Sequence, residues 1–261
     1  MAEPTNMSVW VVIPTYNEFQ NISEVLDRVW SAMPLANVLI VDDGSPDGTA
    51  DVVRARSLST SRLHLVERTG KLGLGTAYIA GFTKAIAAGA DVIVQMDADL
   101  SHDPAELPTL VAATAAADLV IGSRYVEGGR IENWPRHRLL LSRTANKYAR
   151  NVLRLRLWDV TAGYRAWSAR GLASLPLDRV RNSGYAFQAE MAMLAARQNL
   201  VIIEHPITFR DRTAGASKMR LNEILGGVIM LGKVRLSQRR RSEVIGAALV
   251  SSIDVTPSAR S

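Results

Sequence analysis

"DVIVQMDAD", residues 91–99, places two aspartates, Asp97 and Asp99, one residue apart directly behind an apolar run of strand length. An apolar run of this length, with no polar alternation, reads as a strand buried on both faces. Four other runs read the same way: "VWVVIP" (9–14), "VLIVDD" (38–43), "LHLVER" (63–68) and "DLVIGSR" (118–124). Between the five lie "EFQNISEVLDRVWSAM", "DGTADVVRAR", "LGTAYIAGFTKAIAAG" and "PAELPTLVAATAAA", each with helical periodicity. Strand and helix in alternation predict an α/β fold: a doubly wound, mostly parallel sheet with helices on both faces. In such sheets ligands gather outside the carboxyl ends of the strands. Those ends here read "PTYNE", "DDGSPDGT", "DAD" and "GSRY", so polar and acidic groups converge on one edge.

Two like charges repel at short range unless something positive lies between them. Residues i and i+2 of a strand face the same side, so the end of this run can aim both carboxylates at one ion. Mg²⁺ or Mn²⁺ takes oxygen ligands and leaves positions that substrate phosphates can fill. Asp-x-Asp alone also fits two solvated carboxylates in a loop; its place behind a buried strand of a parallel sheet favours the metal. In the turn "VDDGSPDGT" (41–49), Gly44 and Gly48 permit tight turning, Pro46 stiffens it, and Asp47 or Ser45 is positioned to cap a helix near Thr49. No GxGxxG follows the first strand and no GxxxxGK[ST] occurs, which disfavours a dinucleotide dehydrogenase or a P-loop NTPase.

Composition sets the outer limits. With 261 residues, 48% hydrophobic and 21% charged, the chain has the makings of a substantial core. The absence of cysteine excludes disulfides and thiolate-ligated zinc. Residues 1–8 have no basic n-region and read as a flexible N-terminus, and no apolar run reaches the roughly 18 residues of a spanning helix. The net charge of +6 is unevenly distributed: residues 1–120 carry 7 basic and 15 acidic side chains, residues 121–261 carry 24 and 10. A basic half and an acidic half are expected to meet different partners. The sequence pI of about 9.9 invites nucleic acid, but no recognition motif is present.

In the basic half, "GSRYVEGGRIENWPRHRLLLSR" (122–143) holds Arg124, Arg130, Arg136, Arg138 and Arg143, and arginine forks match phosphate geometry. Helices are expected over 138–155 and 184–198, one or two short strands split at Pro206 over 200–212, and an amphipathic helix over 220–241 ending in Arg239–Arg241. The organisation expected is one domain over residues 9–238, with an acidic half carrying the metal-binding candidates (9–124) and a basic half (125–238), followed by a basic tail over 239–261.

Nine motifs stand in order: "IPTYNE", "VDDGSPDGT", "GLGTAY", "MDADLSHDP", "GSRYVEGG", "WPRHR…SR", "DVTAGYR", "GYAFQAEM" and "FRDRTAGASK". Together, over roughly residues 9–235, they make the chain resemble the polyprenol or dolichol phosphate mannose synthases, inverting family 2 glycosyltransferases of the GT-A fold, in the actinobacterial-like form without transmembrane segments. The resemblance implies that Pro14, Tyr16, Glu18, Val41 and Asp43 cradle the guanosine of GDP-mannose, and that Asp97, Ala98 and Asp99 hold the metal, Mg²⁺ or Mn²⁺, and the sugar diphosphate, with Ser101 assisting. It implies that Arg124 and Arg138 grip the phosphate of a polyprenyl monophosphate, with Asp97, Asp99 and Arg124 the catalytic set. The same resemblance implies that the first half (9–124) binds the nucleotide and the second (125–238) the acceptor. Arg212 and Lys218 are expected in an arm that closes over the diphosphate, with Gly215 giving it freedom.

The implied reaction joins two anions, and a phosphate monoester with a second pKa of about 6 is already ionised at neutral pH, so no catalytic base is needed. The implied setting is peripheral, at the cytoplasmic face of a membrane, with the 220–241 helix against anionic lipid. Other members depend on a membrane-anchoring partner protein, and the resemblance leaves room for one here. Two rivals remain: the same machinery with UDP-glucose or another nucleotide sugar as donor, and a non-catalytic subunit that binds lipid phosphate or nucleotide.

Overall fold

The apolar runs of the first half form strands, four of them shielded on both sides and the third, at the sheet edge, only partly buried, which corrects its reading as a strand buried on both faces. They are β1 (Val9–Thr15), β2 (Asn37–Asp42), β3 (Leu63–Glu67), β4 (Val92–Gln95) and β5 (Leu119–Ser123). The computed structural model describes residues 7–180 and 184–211, so the helix expected over 220–241, Arg212, Gly215, Lys218 and the tail over 239–261 lie outside the described residues. Between the strands run α1 (Ile22–Ala32), α2 (Thr49–Ser57), α3 (Leu74–Ala87) and α4 (Leu107–Ala113). The second part contributes β6 (Arg130–Glu132), α5 (Arg136–Leu153), β7 (Arg165–Ser168), α6 (Ala169–Ala173), α7 (Gly184–Arg197), β8 (Ile202–Pro206) and β9 (Thr208–Arg210).

The main sheet has the order β3-β2-β1-β4-β7-β5-β8, and β6 pairs with β9 in a small second sheet. Period-two alternation divides the core into two layers. Trp10, Val12, Leu39 and Val41 pack beneath Tyr78 and Phe82 of α3 and Phe187 of α7, while Val9, Val11 and Ile13 face Val25 and Leu26 of α1 and Leu110 of α4. Ser8, which the sequence reading leaves in a flexible N-terminus, donates its N–H to Asp91 Oδ2 at 2.8 Å.

The sequence reading contains no strand at β7, which lies antiparallel between β4 and β5. β7 is four residues long and carries Arg165, which is fully buried. The guanidinium is accommodated because it donates to the carbonyls of Ala162 (2.8 Å), Gln188 (2.9 Å) and Val160 (2.9 Å). Burial lowers its pKa to about 10, which leaves it charged at neutral pH. Trp167 Nε1 donates to Gln95 Oε1 at 2.8 Å, tying β7 to the last residue of β4. Both β4 and β5 run antiparallel to β7 and therefore parallel to each other, so the carboxyl ends of β1, β2, β4 and β5 share one edge.

Candidate active site at the carboxyl edge of the sheet

β4 ends at Gln95, so Asp97 and Asp99 stand in the loop beyond it rather than in a strand running to residue 99. The chain turns because Leu100 takes a φ of 61° and because the Asp97 N–H donates to His102 Nδ1 (3.1 Å) instead of to a neighbouring strand. Each carboxylate is oriented by a neutral hydroxyl. Tyr78 of α3 donates to Asp97 Oδ1 at 3.0 Å, and Ser101 donates to Asp99 Oδ1 from both its hydroxyl (2.6 Å) and its N–H (3.1 Å). The Tyr78 ring is stacked between Phe82 and Phe187, at 5.7 and 5.9 Å. Burial first, and then the charge of Asp97, push its pKa well above the usual value, so it remains a protonated donor. Ser101, expected beside the metal, is buried and gives its hydroxyl proton to Asp99; it orients that carboxylate.

Carboxylates are hard oxygen ligands of the kind that fit Mg²⁺ or Mn²⁺. Among the described residues no group of three or more His, Cys, Asp or Glu is gathered for a metal. Among the described residues, the Asp97 and Asp99 carboxylates are oxygen ligands available at this edge.

Pro14, Tyr16, Glu18, Asp43, Asp97, Ala98 and Asp99 line one cleft, together with Thr15, Lys71, Gly73, Leu74 and Ala77. Val41, expected to cradle the nucleoside, does not line it; its side chain lies in the core, on the same face of β2 as Leu39. Asp43 accepts from Arg68 Nη1 at 2.7 Å and from the Gly73 N–H at 3.2 Å, so it also ties the turn after β2 to the start of α3. Lys71 Nζ sits 4.7 Å from the centre of the Tyr16 ring and brings a cation to the cleft wall. In the turn after β2, Gly44 and Gly48 take φ of 70° and 88° as tight turning requires. Asp47, not Ser45, accepts the Thr49 N–H at 3.0 Å. Ser45 instead accepts from the Asn17 N–H and donates to Asp42.

Beyond β5 the arginines are arranged differently. Arg124 grips Asp159 with Nε (2.7 Å) and Nη2 (2.8 Å), and Nη2 also reaches Thr161 Oγ1 at 3.0 Å. Burial pushes the Asp159 carboxyl up, but the Arg124 charge and hydrogen bonds outweigh it and hold the pKa below the ordinary value. Glu204 of β8 accepts the N–H groups of Trp158 and Asp159 at 2.6 and 2.8 Å and so fixes the loop that presents Asp159. Arg124, expected to grip an acceptor phosphate, is anchored to Asp159 by two of its nitrogens. Arg138, in the first turn of α5, gives Nη1 to both oxygens of Asp211 (2.9 and 3.1 Å), and its guanidinium lies 4.2 Å from the Trp134 ring centre.

An aromatic wall joins the two sides: His102 meets Phe209 edge-on at 5.7 Å, Phe209 meets Trp134 at 5.4 Å, and Arg124 lies 5.4 Å from the Phe209 centre. The sequence reading assigned no role to Lys71, Tyr78, His102, Trp134, Asp159 or Glu204. Tyr78, His102, Trp134 and Asp159 stand inside the ordered motifs, which was the available signal. No helix among the described residues is long and apolar enough to cross a membrane.

The model described as glycosyl transferase family 2 matches residues 10–173. The chain is 47% identical to an undecaprenyl-phosphate mannosyltransferase of Micrococcus luteus over 85% of its own length and 90% of the relative's. It is also 47% identical to a polyprenol monophosphomannose synthase of Mycolicibacterium smegmatis, over 83% of its own length and 82% of that protein's. Among solved structures, glucosyl-3-phosphoglycerate synthase from Mycobacterium tuberculosis in complex with Mn²⁺, UDP and glucosyl-3-phosphoglycerate shares the fold, with a TM-score of 0.60, 23% identity, and coverage of 89% of this chain and 80% of that one.

Proposed function

The chain belongs to glycosyl transferase family 2, and on that premise we propose that it transfers mannose from GDP-mannose to a polyprenyl, dolichyl-type monophosphate, giving polyprenyl β-mannosyl phosphate with inversion. Relatives at 47% identity that are named as mannosyltransferases of polyprenyl phosphates support the sugar and the acceptor class. The observation that carries the reading is the juxtaposition across the His102–Phe209–Trp134 wall: an acidic pair, Asp97 and Asp99, on one side and two arginines, Arg124 and Arg138, on the other. Joining a nucleotide sugar to an anionic acceptor needs both.

Pro14, Tyr16, Glu18 and Asp43 hold the nucleoside end of the donor, and Lys71 adds a positive charge beside its diphosphate. Asp97 and Asp99 hold a divalent cation, Mg²⁺ or Mn²⁺, which when bound neutralises charge growing on the departing diphosphate. Arg138 binds the acceptor phosphate, and Arg124, fixed by Asp159, lends its field from behind. An oxygen of the lipid phosphate, already ionised, gives its electron pair to the anomeric carbon while the bond to the β-phosphate breaks and its electrons leave with GDP. Attack on the face opposite GDP turns an α-linked donor into a β-linked product. Arg212 and Lys218 complete the reading as the arm that screens the leaving diphosphate. The enzyme works peripherally at the cytoplasmic face of the membrane, where its lipid acceptor presents its phosphate.

The test is incubation of the purified chain with radiolabelled GDP-mannose, polyprenyl monophosphate in vesicles, and Mg²⁺ or Mn²⁺. Label is expected in a solvent-extractable lipid, only with metal present. Label that stays with the nucleotide overturns the proposal, and preferential use of UDP-glucose reassigns the donor.

A further inference from the structure

Buried donors in folded proteins are nearly always paired, so each orphan calls for an explanation. Among the described residues two buried side-chain polar atoms lack a hydrogen-bond partner: Nε2 of His64 and Nε1 of Trp134. His64 lies on β3, stacked on Trp10 at 4.6 Å, in the half of the sheet away from the arginines. Trp134 is placed very differently. Its ring centre is 4.2 Å from the Arg138 guanidinium and 5.9 Å from that of Arg124, and Phe209 braces it edge-on at 5.4 Å. The nearby carboxylates of Asp159 and Asp211 are already gripped by Arg124 and Arg138.

An indole N–H is a donor only. The two guanidiniums over its ring are donors too, so neither can pair with it, and the N–H calls for an acceptor that brings its own negative charge. We propose that Trp134 donates its indole N–H to a phosphate oxygen of the acceptor lipid, as a third recognition group beside the arginines. The inference rests on the acceptor reading given above and adds to it a residue that carries no charge. The geometry gives Trp134 two tasks: its face supports the Arg138 guanidinium, and its edge supplies a directed donor. Any anion that Arg138 takes in place of Asp211 is carried to the same ring. A monophosphate suits the site because its oxygens can be shared among several donors.

Trp134→Phe separates the tasks, since it keeps an aromatic face for Arg138 and removes only the N–H. The KM for polyprenyl monophosphate is expected to rise about tenfold, the effect of losing one hydrogen bond to a charged group, while calorimetric binding of GDP with Mn²⁺ stays unchanged. Arg138→Ala is measured beside it. If Arg138→Ala raises the acceptor KM and Trp134→Phe does not, the inference falls and the acceptor site stands. If neither variant changes it, the acceptor reading itself fails.

A second measurement on the unsubstituted full chain does not depend on the variant folding. The indole N–H resonance of Trp134, assigned among the five tryptophans, is expected to move downfield on addition of a short-chain polyprenyl monophosphate and to stay in place with the neutral polyprenol. A resonance unmoved at saturating lipid phosphate overturns the proposal.

Discussion

The acidic pair and the arginine pair are held in opposite ways. Asp97 and Asp99 accept hydrogen bonds from the hydroxyls of Tyr78 and Ser101, which fix their direction and bring no charge of their own. Arg124 and Arg138 are bound to carboxylates, which cancel theirs. The arginine pairs also differ from each other. The Arg124 and Asp159 side chains are 5% and 0% exposed, whereas those of Arg138 and Asp211 are 20% and 31% exposed. An arriving phosphate can therefore compete with Asp211 for Arg138, in partial contact with water, but it cannot take Arg124 from Asp159 without opening the core. One cationic partner is exchangeable and the other is built in.

The sharpest way to break this contrast is at the acidic side. Asp99→Ala should lower kcat roughly a thousandfold, the scale of losing a principal electrostatic stabiliser, with little change in the thermal midpoint; near-normal turnover would contradict the assignment. The built-in arginine predicts the next effect. Asp159→Ala leaves a buried guanidinium without its carboxylate and should cost about 3–5 kcal/mol in urea unfolding. Because the folded pKa of Asp159 is depressed, its stabilisation is present above the ordinary aspartate value of 3.8 and fades as pH falls below it. The stability gap between the unsubstituted chain and Asp159→Asn should then be flat from pH 8 to about 5 and narrow only in acid.

Tyr78→Phe keeps the stacked ring and removes the donor to Asp97. It should weaken Mn²⁺-dependent GDP binding about tenfold, as loss of a group that orients a metal ligand does, with metal-free GDP binding unchanged. Smallest is Asp211→Ala. The pair is partly exposed, so stability should fall by less than about 1 kcal/mol, and the acceptor KM should drop as a competitor for Arg138 disappears. A raised acceptor KM would show that Asp211 positions Arg138 rather than competing for it.

What the sequence disclosed and what it hid follow from distance along the chain. Asp97 and Asp99 were legible because a strand pattern and the residues at its end are contiguous. The turn after β2 was legible for the same reason. Arg124 was visible as an arginine after a strand, but its partner Asp159 lies across α5, and nothing local joins them. β7 was missed because a charged residue in a four-residue segment contradicts the pattern of a buried strand, and only the carbonyls of Val160, Ala162 and Gln188 make it tolerable. Alternation also places Val41, since its side chain shares the buried face of β2 with Leu39. The acceptor side is assembled almost wholly from such remote pairs.

The insertion of β7 also governs how the molecule can come into being. Val92 is paired with Ser168, so as the chain leaves the ribosome β4 has an open flank until the synthesis of β7 is complete. The loop bearing the two aspartates is anchored to that flank, and it takes its final form late, at the closing of a long-range contact of the slow-folding kind. A polypeptide cut before residue 165 would keep both Asp97 and Asp99 and expose a naked sheet edge, which is a route to aggregation rather than to a smaller working enzyme.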